Sequence, residues 1–471
     1  MGVPLPDHSL GDMRELRGRV LAASPASPPA LDEAERYLAQ LDDAAFASLS
    51  LRTRQGGPII QPRGGFARFE DQRRLTLALV AAGADFVPLT IDSHTRHNDY
   101  LTAATLLELS NRENANLLNG YPLVCHGYQA SRPIYDNVAH PISLRHGTAD
   151  ARLLVEIALA TGITEIEGGA ITYTVPYSRT FPLERAILHW QYVDRLCALL
   201  STPQRPINRE SFGVLTATML PPAMVAAVEI CELLLAAEQG VTSYSLSFGQ
   251  SGSILQDAAL ALVIRETAAR YLTRFGFPNV TVHLVYHQWM GAFPREFELA
   301  SALIAASAQT AALVRADKII TKTKEEARGI PSIEANAEGV RAVRYIVERT
   351  ADTGLLDSAV VAAEAVRVTR TVDAIMEALF ALPPVQFWRS VSQAFASGLI
   401  DIPFSPHEGN RNKLVTRRGR GNGIYITEPG QVPIPADVLA EERAAIAERS
   451  AGAADGSVFR TVMRDLEFML A

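Results

Sequence analysis

The sequence predicts a TIM-type (β/α)8 barrel, with an N-terminal helical extension before it and a C-terminal α+β extension after it. Three observations point there. From residue 56 onward, short β-prone runs alternate with helical stretches, the pattern of parallel strands joined by crossover helices. About eight such units fit into roughly 270 residues, close to the usual size of a closed barrel. Charged residues recur just after several of these runs, where a barrel gathers its functional groups. A doubly wound open sheet is the competing arrangement.

The elements follow in order. The first fifty residues are rich in Pro, Ser and Ala, with one helical segment over LDEAERYLAQLDDAAFASL. Its early Asp32 and Glu33 suit the positive end of a helix dipole. The strand candidates are GPIIQPR, ADFVPLTID, PLVCHG, PISLRHG, TEIEGGAITY, FGVLTAT, TSYSLSFG, VTVHLVYHQW and DKIITKTK. These are nine runs for eight places, and PLVCHG is suspect because its connection to the next run is short. Helices are expected over FEDQRRLTLALVAAG, ADARLLVEIALATG and PPAMVAAVEICELLLAAEQG, each ending in a Gly that can cap it. After residue 355 come two helices, LDSAVVAAEAVRVTRTVDAIMEALFAL and FWRSVSQAFASG, then a Pro/Gly/Arg-rich tail from 401. The expected division is therefore 1–54, 55–355 for the barrel, and 356–471.

Composition excludes several function classes. Hydrophobic residues make up 48% and charged residues 20%, as in a packed globular protein. A net charge of −7 gives no general attraction to nucleic acid or to an anionic membrane. Cys125, Cys197 and Cys231 are scattered and form no CxxC pair, which fits free thiols and a cytoplasmic location. The longest apolar runs, such as ICELLLAA, are too short to span a bilayer.

The segment PLTIDSHTRHNDY ends a strand candidate on Asp92, His94, Arg96 and His97. It offers either histidines for a metal or an arginine for an anion. Corresponding positions after other strand candidates carry Arg63, Arg145, Glu167 and Lys322. Each guanidinium is a rigid fork that can grip a carboxylate through two parallel hydrogen bonds. Three forks at one mouth suit a substrate with more than one carboxylate, or a phosphate. Taken singly, any of these arginines is more simply a helix cap or a surface ion pair.

The runs QPRGGF, TIDSHTR, LRHGTADAR, EGGAITYTVPYSR, YHQWMGAFP and KEEARGIPSIEAN, in this order, resemble the epsilon (large) subunit of glutamate mutase. INRESFGVLTATMLPP, LLAAEQGVTSYSLSFGQSGSILQDAAL and GLIDIPFSP extend the resemblance over about 55–405. It implies a barrel subunit of an adenosylcobalamin-dependent enzyme that interconverts L-glutamate and L-threo-3-methylaspartate by a radical carbon-skeleton rearrangement. It assigns Arg63, Arg96 and Arg145 to the two substrate carboxylates, with His146 beside them. Glu167 faces the amino group, and Tyr173 and Tyr177 complete the polar pocket. Without the resemblance, two tyrosines four apart read as ordinary packing. Gly65, Asn119, Pro176, Phe293, Lys322, Glu326 and Ile330 fall on cofactor-contacting positions. The paired glycines after Arg63 and Glu167 are expected to let backbone approach a bulky ligand.

The resemblance also implies partners: a small cobalamin-binding (sigma) subunit that ligates the cobalt, and a pair of large subunits within a heterotetramer. Asp92-x-His94 begins the Asp-x-His-x-x-Gly signature of a cobalt ligand, but His97 stands where the Gly is required, and no other copy occurs. No metal ligand is therefore assigned to this chain. Departures from the family fall at His94, beside Arg96, and at Lys324-Glu325, beside the expected cofactor contacts.

Three other readings compete. A metal-dependent barrel hydrolase could use His94, His146 and His287, although neither HxH nor HExxH occurs. A partner-binding subunit without catalysis, or a mutase for a related acidic amino acid, is also compatible. GQSGS at 249–253 is not GxSxG, and RRGRGNG at 417–423 reads as a flexible basic loop.

Overall fold

The computed structural model describes residues 10–26, 28–213, 219–383, 386–450 and 458–470. Eight parallel strands form its centre: β1 Ile59–Gln61, β2 Val87–Thr90, β3 Ile142–Arg145, β4 Glu165–Glu167, β5 Asn208–Glu210, β6 Ser243–Gly249, β7 Thr281–His287 and β8 Lys318–Ile320. Each pairs with its neighbour in sequence from β2 to β8, and β8 pairs back with β1. Backbone bonds from Asp85 N to Ile60 O (2.9 Å) and from Thr90 N to Gly64 O (3.0 Å) bridge the remaining seam between β1 and β2. The predicted barrel is therefore the observed fold.

The strands are short, but their alternation is strict. On β6, Tyr244, Leu246 and Phe248 alternate with Ser243, Ser245 and Ser247, and all are buried. The serines belong to the lumen: Ser243 Oγ donates to Asn208 Oδ1 (2.8 Å), and Ser245 Oγ accepts from Asn208 Nδ2 (2.9 Å). The aromatic and aliphatic set belongs to the hydrophobic core formed with the surrounding helices. Barrel interiors are commonly filled by branched apolar side chains. This one is filled largely by polar and charged groups.

Two strand expectations change. PLVCHG is a one-turn helix, Leu123–His126, that follows an isolated bridge between Ile91 and Tyr121. The fifth strand is Asn208–Glu210, not FGVLTAT. Phe212 and Gly213 lie beyond its end, and Val214 to Thr218 lie outside the described residues. Arg209 explains the shift: its outward side chain pairs with Asp194 (2.6 Å) and donates to the Gly168 carbonyl (2.8 Å), anchoring the strand there.

The N-terminal extension is more broken than expected. Helix Leu10–Leu21 precedes it, and the predicted single helix divides into Leu31–Gln40, a turn at Asp43–Ala45, and Ala47–Thr53. The division falls where Leu41 and Asp42 are extended. The last piece reaches the N-terminal end of the barrel, where Ser48 Oγ donates to Pro206 O (2.6 Å) and Ala47 N to Thr164 Oγ1 (3.2 Å).

After the helices Ala359–Phe380 and Phe387–Ser397, the chain forms a hairpin, β9 Val415–Arg418 and β10 Ile424–Glu428, and two further helices, Ala436–Ser450 and Val458–Leu466. RRGRGNG is thus the end of an ordered hairpin and not a flexible loop. Arg418 is buried at 2% exposure and donates to the carbonyls of Ser251 (2.8 Å), Asn422 (2.7 Å) and Asp465 (2.8 Å). Ser405 Oγ donates to Val175 O (2.6 Å), and Thr416 Oγ1 to Met219 O (2.7 Å). This extension consequently builds against the loops that follow β4, β5 and β6.

Candidate active site

The charged side chains expected at strand ends converge on the C-terminal mouth. Arg145 and Glu167 are the last residues of β3 and β4, and neither side chain is exposed. Arg63 lies two residues past β1 and Lys322 two past β8. Arg96 sits on a one-turn helix after β2, Ser93–Arg96. Asp92 caps that turn by accepting from the backbone N–H of His94 (2.9 Å) and Thr95 (3.0 Å). Arg96 Nε donates to Ile91 O (2.7 Å), which aims the side chain back over the strand end. Asp92 thus supports the turn that carries Arg96.

The three arginines stand in different electrostatic states. Arg145 lies between two carboxylates, with Nη1 2.6 Å from Glu210 Oε1 and Nη2 paired with Glu167. Among the described residues, Arg63 and Arg96 have no ion pair. Arg63 Nη1 is 3.9 Å from Met290 Sδ, and its guanidinium lies 5.7 Å from the Phe212 ring centre. Burial lowers the pKa of Arg96, and the neighbouring Arg63 lowers it further. Two cations are thus held together without an anion between them, a costly arrangement that an incoming anion would relieve.

Glu167 is fixed by its surroundings. Tyr173 donates its hydroxyl to the carboxylate, and Arg145 pairs with it. Burial raises its pKa against the pull of Arg145, and Glu210 raises it further. His146 holds the Glu167 backbone: its Nε2 lies 2.7 Å from the Glu167 carbonyl, and its Nδ1 accepts from Thr148 N (3.1 Å). That pattern requires the proton on Nε2, and burial pushes the imidazole pKa down to about 3. Neither ring nitrogen of His146 is open to a substrate. Tyr173 is buried, whereas Tyr177 is half exposed at the rim, their rings edge-on at 6.5 Å.

The paired glycines serve the protein's own packing. A Cβ on Gly168, whose φ is +114°, would meet the Tyr173 ring at 2.3 Å and Trp190 at 2.6 Å. One on Gly169 would meet Glu232 at 2.2 Å, and one on Gly65 the Thr90 carbonyl at 2.2 Å. The close approach expected of a ligand is made by neighbouring side chains and backbone.

The positions carried over for a cofactor occupy loops of the same face. Lys322 Nζ pairs with Glu326 at 2.8 Å and is nearly buried. Asn119 Oδ1 accepts from Ser93 N (2.8 Å), joining its loop to the Arg96 turn. Phe293, in the loop after β7, is buried, while Ile330 is half exposed. Pro176 adjoins Tyr177. Lys324 and Glu325, the departures noted above, turn away to Glu338 (2.5 Å) and the Ser332 N–H (2.7 Å).

The histidines of the metal reading are dispersed. His94 pairs with Asp99 at 3.4 Å, and His97 Nδ1 approaches the Ser93 carbonyl at 2.7 Å. Among the described residues, one group of ligand type gathers: Glu167, Glu210 and His287. Arg145 already pairs with both carboxylates, and Lys318 with Glu210. This is a buried ion-pair cluster in which cations occupy the place of a metal. Among the described residues, the His287 nitrogens have no hydrogen-bond partner.

Sequence reasoning missed Glu210 and Lys318. Glu210 ends its strand as Glu167 does, and the two are partners in register. The same rule of charge at a strand end would have found it, had the fifth strand been placed at INRE.

The fold and mouth define a (β/α)8-barrel protein whose arginine and glutamate side chains gather at the C-terminal ends of its strands. The family described as methylaspartate mutase E chain (MutE) matches residues 43–470, and the chain belongs to that family. It is 40% identical to the glutamate mutase epsilon subunit of Yersinia enterocolitica over 84% of this chain and 82% of that protein. With the epsilon subunit of Treponema denticola the identity is 36%, over 93% and 92% respectively. With that of Escherichia coli O157:H7 it is 37%, over 88% and 86%.

Proposed function

We propose that this chain is the large, substrate-holding subunit of an adenosylcobalamin-dependent glutamate mutase, an isomerase interconverting L-glutamate and L-threo-3-methylaspartate. The carrying observation is the charge pattern of the mouth. Arg63 and Arg96 are two guanidiniums without an acid partner among the described residues, beside a carboxylate, Glu167. Glutamate brings two carboxylates and one ammonium, which is the complementary set.

In this reading Arg63 and Arg96 grip the carboxylates, and Arg145 joins them through Nε, which has no hydrogen-bond partner among the described residues. Forked contacts fix orientation as well as position. They keep both fragments of a broken carbon skeleton in place until they rejoin. Glu167 holds the ammonium. Its raised pKa suits it to accept a proton from that group and return it. Tyr173 keeps the Glu167 carboxylate from rotating, and Tyr177 covers the pocket from the rim.

The residues fit the cofactor. Lys322 and Glu326 offer a nearly buried donor and acceptor, and Ile330 leaves apolar surface uncovered at the same face. With Gly65, Asn119, Pro176 and Phe293 they form a rim partly polar and partly apolar, as an amphiphilic cofactor requires. Adenosylcobalamin, when bound, supplies the organic radical that removes a substrate hydrogen and returns it. Its cobalt is ligated by the small sigma subunit, and two large subunits complete a cytoplasmic heterotetramer.

The test is reconstitution with a competent small subunit, adenosylcobalamin and L-glutamate, following 3-methylaspartate and omitting each component in turn. Product that requires all of them supports the reading. Product without cobalamin overturns it, as does a formed complex that does not turn over glutamate.

A further inference from the structure

We infer that Glu210 is a positioning residue for Arg145, held in place by a buried relay through Lys318 to Glu165; the inference rests on the reading of Arg145 as a substrate-carboxylate ligand. Glu210 and Glu167 are register partners on adjacent strands, so both carboxylates enter the lumen side by side. Neither is exposed, and two such anions cannot both stay ionised without a cation. Arg145 supplies it, with Nη1 on Glu210 at 2.6 Å and Nη2 on Glu167.

Glu210 is itself held from below. Its second oxygen pairs with Lys318 Nζ, which also bonds Glu165 Oε2 at 2.6 Å. Glu165 Oε1 accepts from Asn208 Nδ2 (2.9 Å), which also donates to Ser245 Oγ (2.9 Å). All these side chains are buried. Glu210 cannot rotate away from Arg145 without leaving Lys318 half paired.

Two features point beyond stability. Replacing a buried ion pair with apolar residues of similar volume is often neutral or favourable, so its presence is a weak argument for folding energy alone. The cluster also holds three carboxylates, Glu165, Glu167 and Glu210, against two cations, Arg145 and Lys318. It is one cation short at its upper end, where the substrate ammonium would meet Glu167. With Glu210 on Nη1 and Glu167 on Nη2, the guanidinium is left with Nε, which has no hydrogen-bond partner among the described residues. Glu210 thereby helps fix the plane of the Arg145 guanidinium and the direction in which its Nε points.

The experiment is a double-mutant cycle on the assembled enzyme, measuring glutamate affinity by calorimetry and kcat/KM by product formation. Glu210→Gln should lower affinity and kcat/KM by about tenfold or more, because Arg145 loses one of its two fixed partners. On an Arg145→Met background the same change should alter glutamate affinity by less than about twofold. A folded Glu210→Gln enzyme within twofold of the parent overturns the proposal, and so does an equal loss on both backgrounds. Should Glu210→Gln fail to fold, Glu210→Gln/Lys318→Met removes one buried charge of each sign and is measured in the same cycle. A parent complex that neither binds nor converts glutamate refutes the functional reading itself, before any variant is compared.

Discussion

Gly168→Ala separates two explanations of the glycines that follow the site carboxylate. If Gly168 leaves room for a ligand, alanine should weaken binding and leave the empty protein unchanged. The structure argues otherwise. The residue has a φ of +114°, and a Cβ there would lie 2.3 Å from Tyr173 Cε2 and 2.6 Å from Trp190 Cη2. Holding an L-residue in that backbone region costs about 1–3 kcal/mol. Forcing a methyl group against a packed ring adds about 1–3 kcal/mol. The sum is about 2–6 kcal/mol. At roughly 2 cal/mol/K per residue, a chain of 471 residues has an unfolding entropy near 1 kcal/mol/K, so Tm should fall by about 2–6 °C. The assay is thermal unfolding by circular dichroism without substrate, cofactor or partner, at one scan rate for both proteins. Tyr173 must move to accommodate the methyl group, so the hydrogen bond to Glu167 should weaken as well and activity should fall. An unliganded Tm within 1 °C of the parent, with glutamate affinity lost, would refute the packing argument.

Other expectations follow from single contacts. Arg96→Lys keeps the cation but loses the fork, so glutamate affinity should fall by roughly 2–4 kcal/mol in a titration on the assembled complex; unchanged binding would remove Arg96 from the grip. Burial pushes the Glu229 carboxyl up to about 8. It therefore stays protonated in the folded chain after it ionises in the unfolded one, and its contribution to stability is lost between roughly pH 4 and its folded value. Glu229→Gln should consequently gain Tm relative to the parent as pH rises across that window, and a pH-independent difference would contradict the shift. Arg418→Ala strands three carbonyls, one each in the β6 loop, the hairpin turn and the helix Val458–Leu466. It should destabilise the fold by about 2–4 kcal/mol and make the segment after residue 400 the first site of limited proteolysis.

The barrel was legible because its strands and helices alternate with short connections, and because charge recurs at strand ends. Seven of the nine strand candidates coincide with observed strands. PLVCHG failed because apolar composition alone does not separate a buried strand from one turn of helix. FGVLTAT failed because the anchor of the fifth strand is polar: Arg209 and Glu210 bond to groups on neighbouring elements that no local pattern reveals. The tail was misread for a related reason. Alternating Arg and Gly suggests exposure, yet Arg418 is buried once Ser251, Asn422 and Asp465 supply acceptors from three separate places in the chain.

The site divides along the same line. Its upper layer, Arg63, Arg96, Arg145 and Glu167, could be found because each residue follows a recognisable run. Its lower layer could not, because polar residues alternating with apolar ones ordinarily mark a solvent face. TEIE and TSYSLSFG alternate in this way, yet β4 and β6 are buried on both faces. In a closed barrel only one place remains for the polar set, which is the lumen. Charges placed there must be paired, since the lumen offers little water to screen them. The demand for pairing then fixes geometry: Glu165 needs Lys318, Lys318 also takes Glu210, and Glu210 holds Arg145. The mouth is accordingly the upper end of a charge network that begins at the opposite end of the barrel. A substitution far below the mouth, at Lys318, should therefore act on substrate binding through Arg145, without touching the substrate.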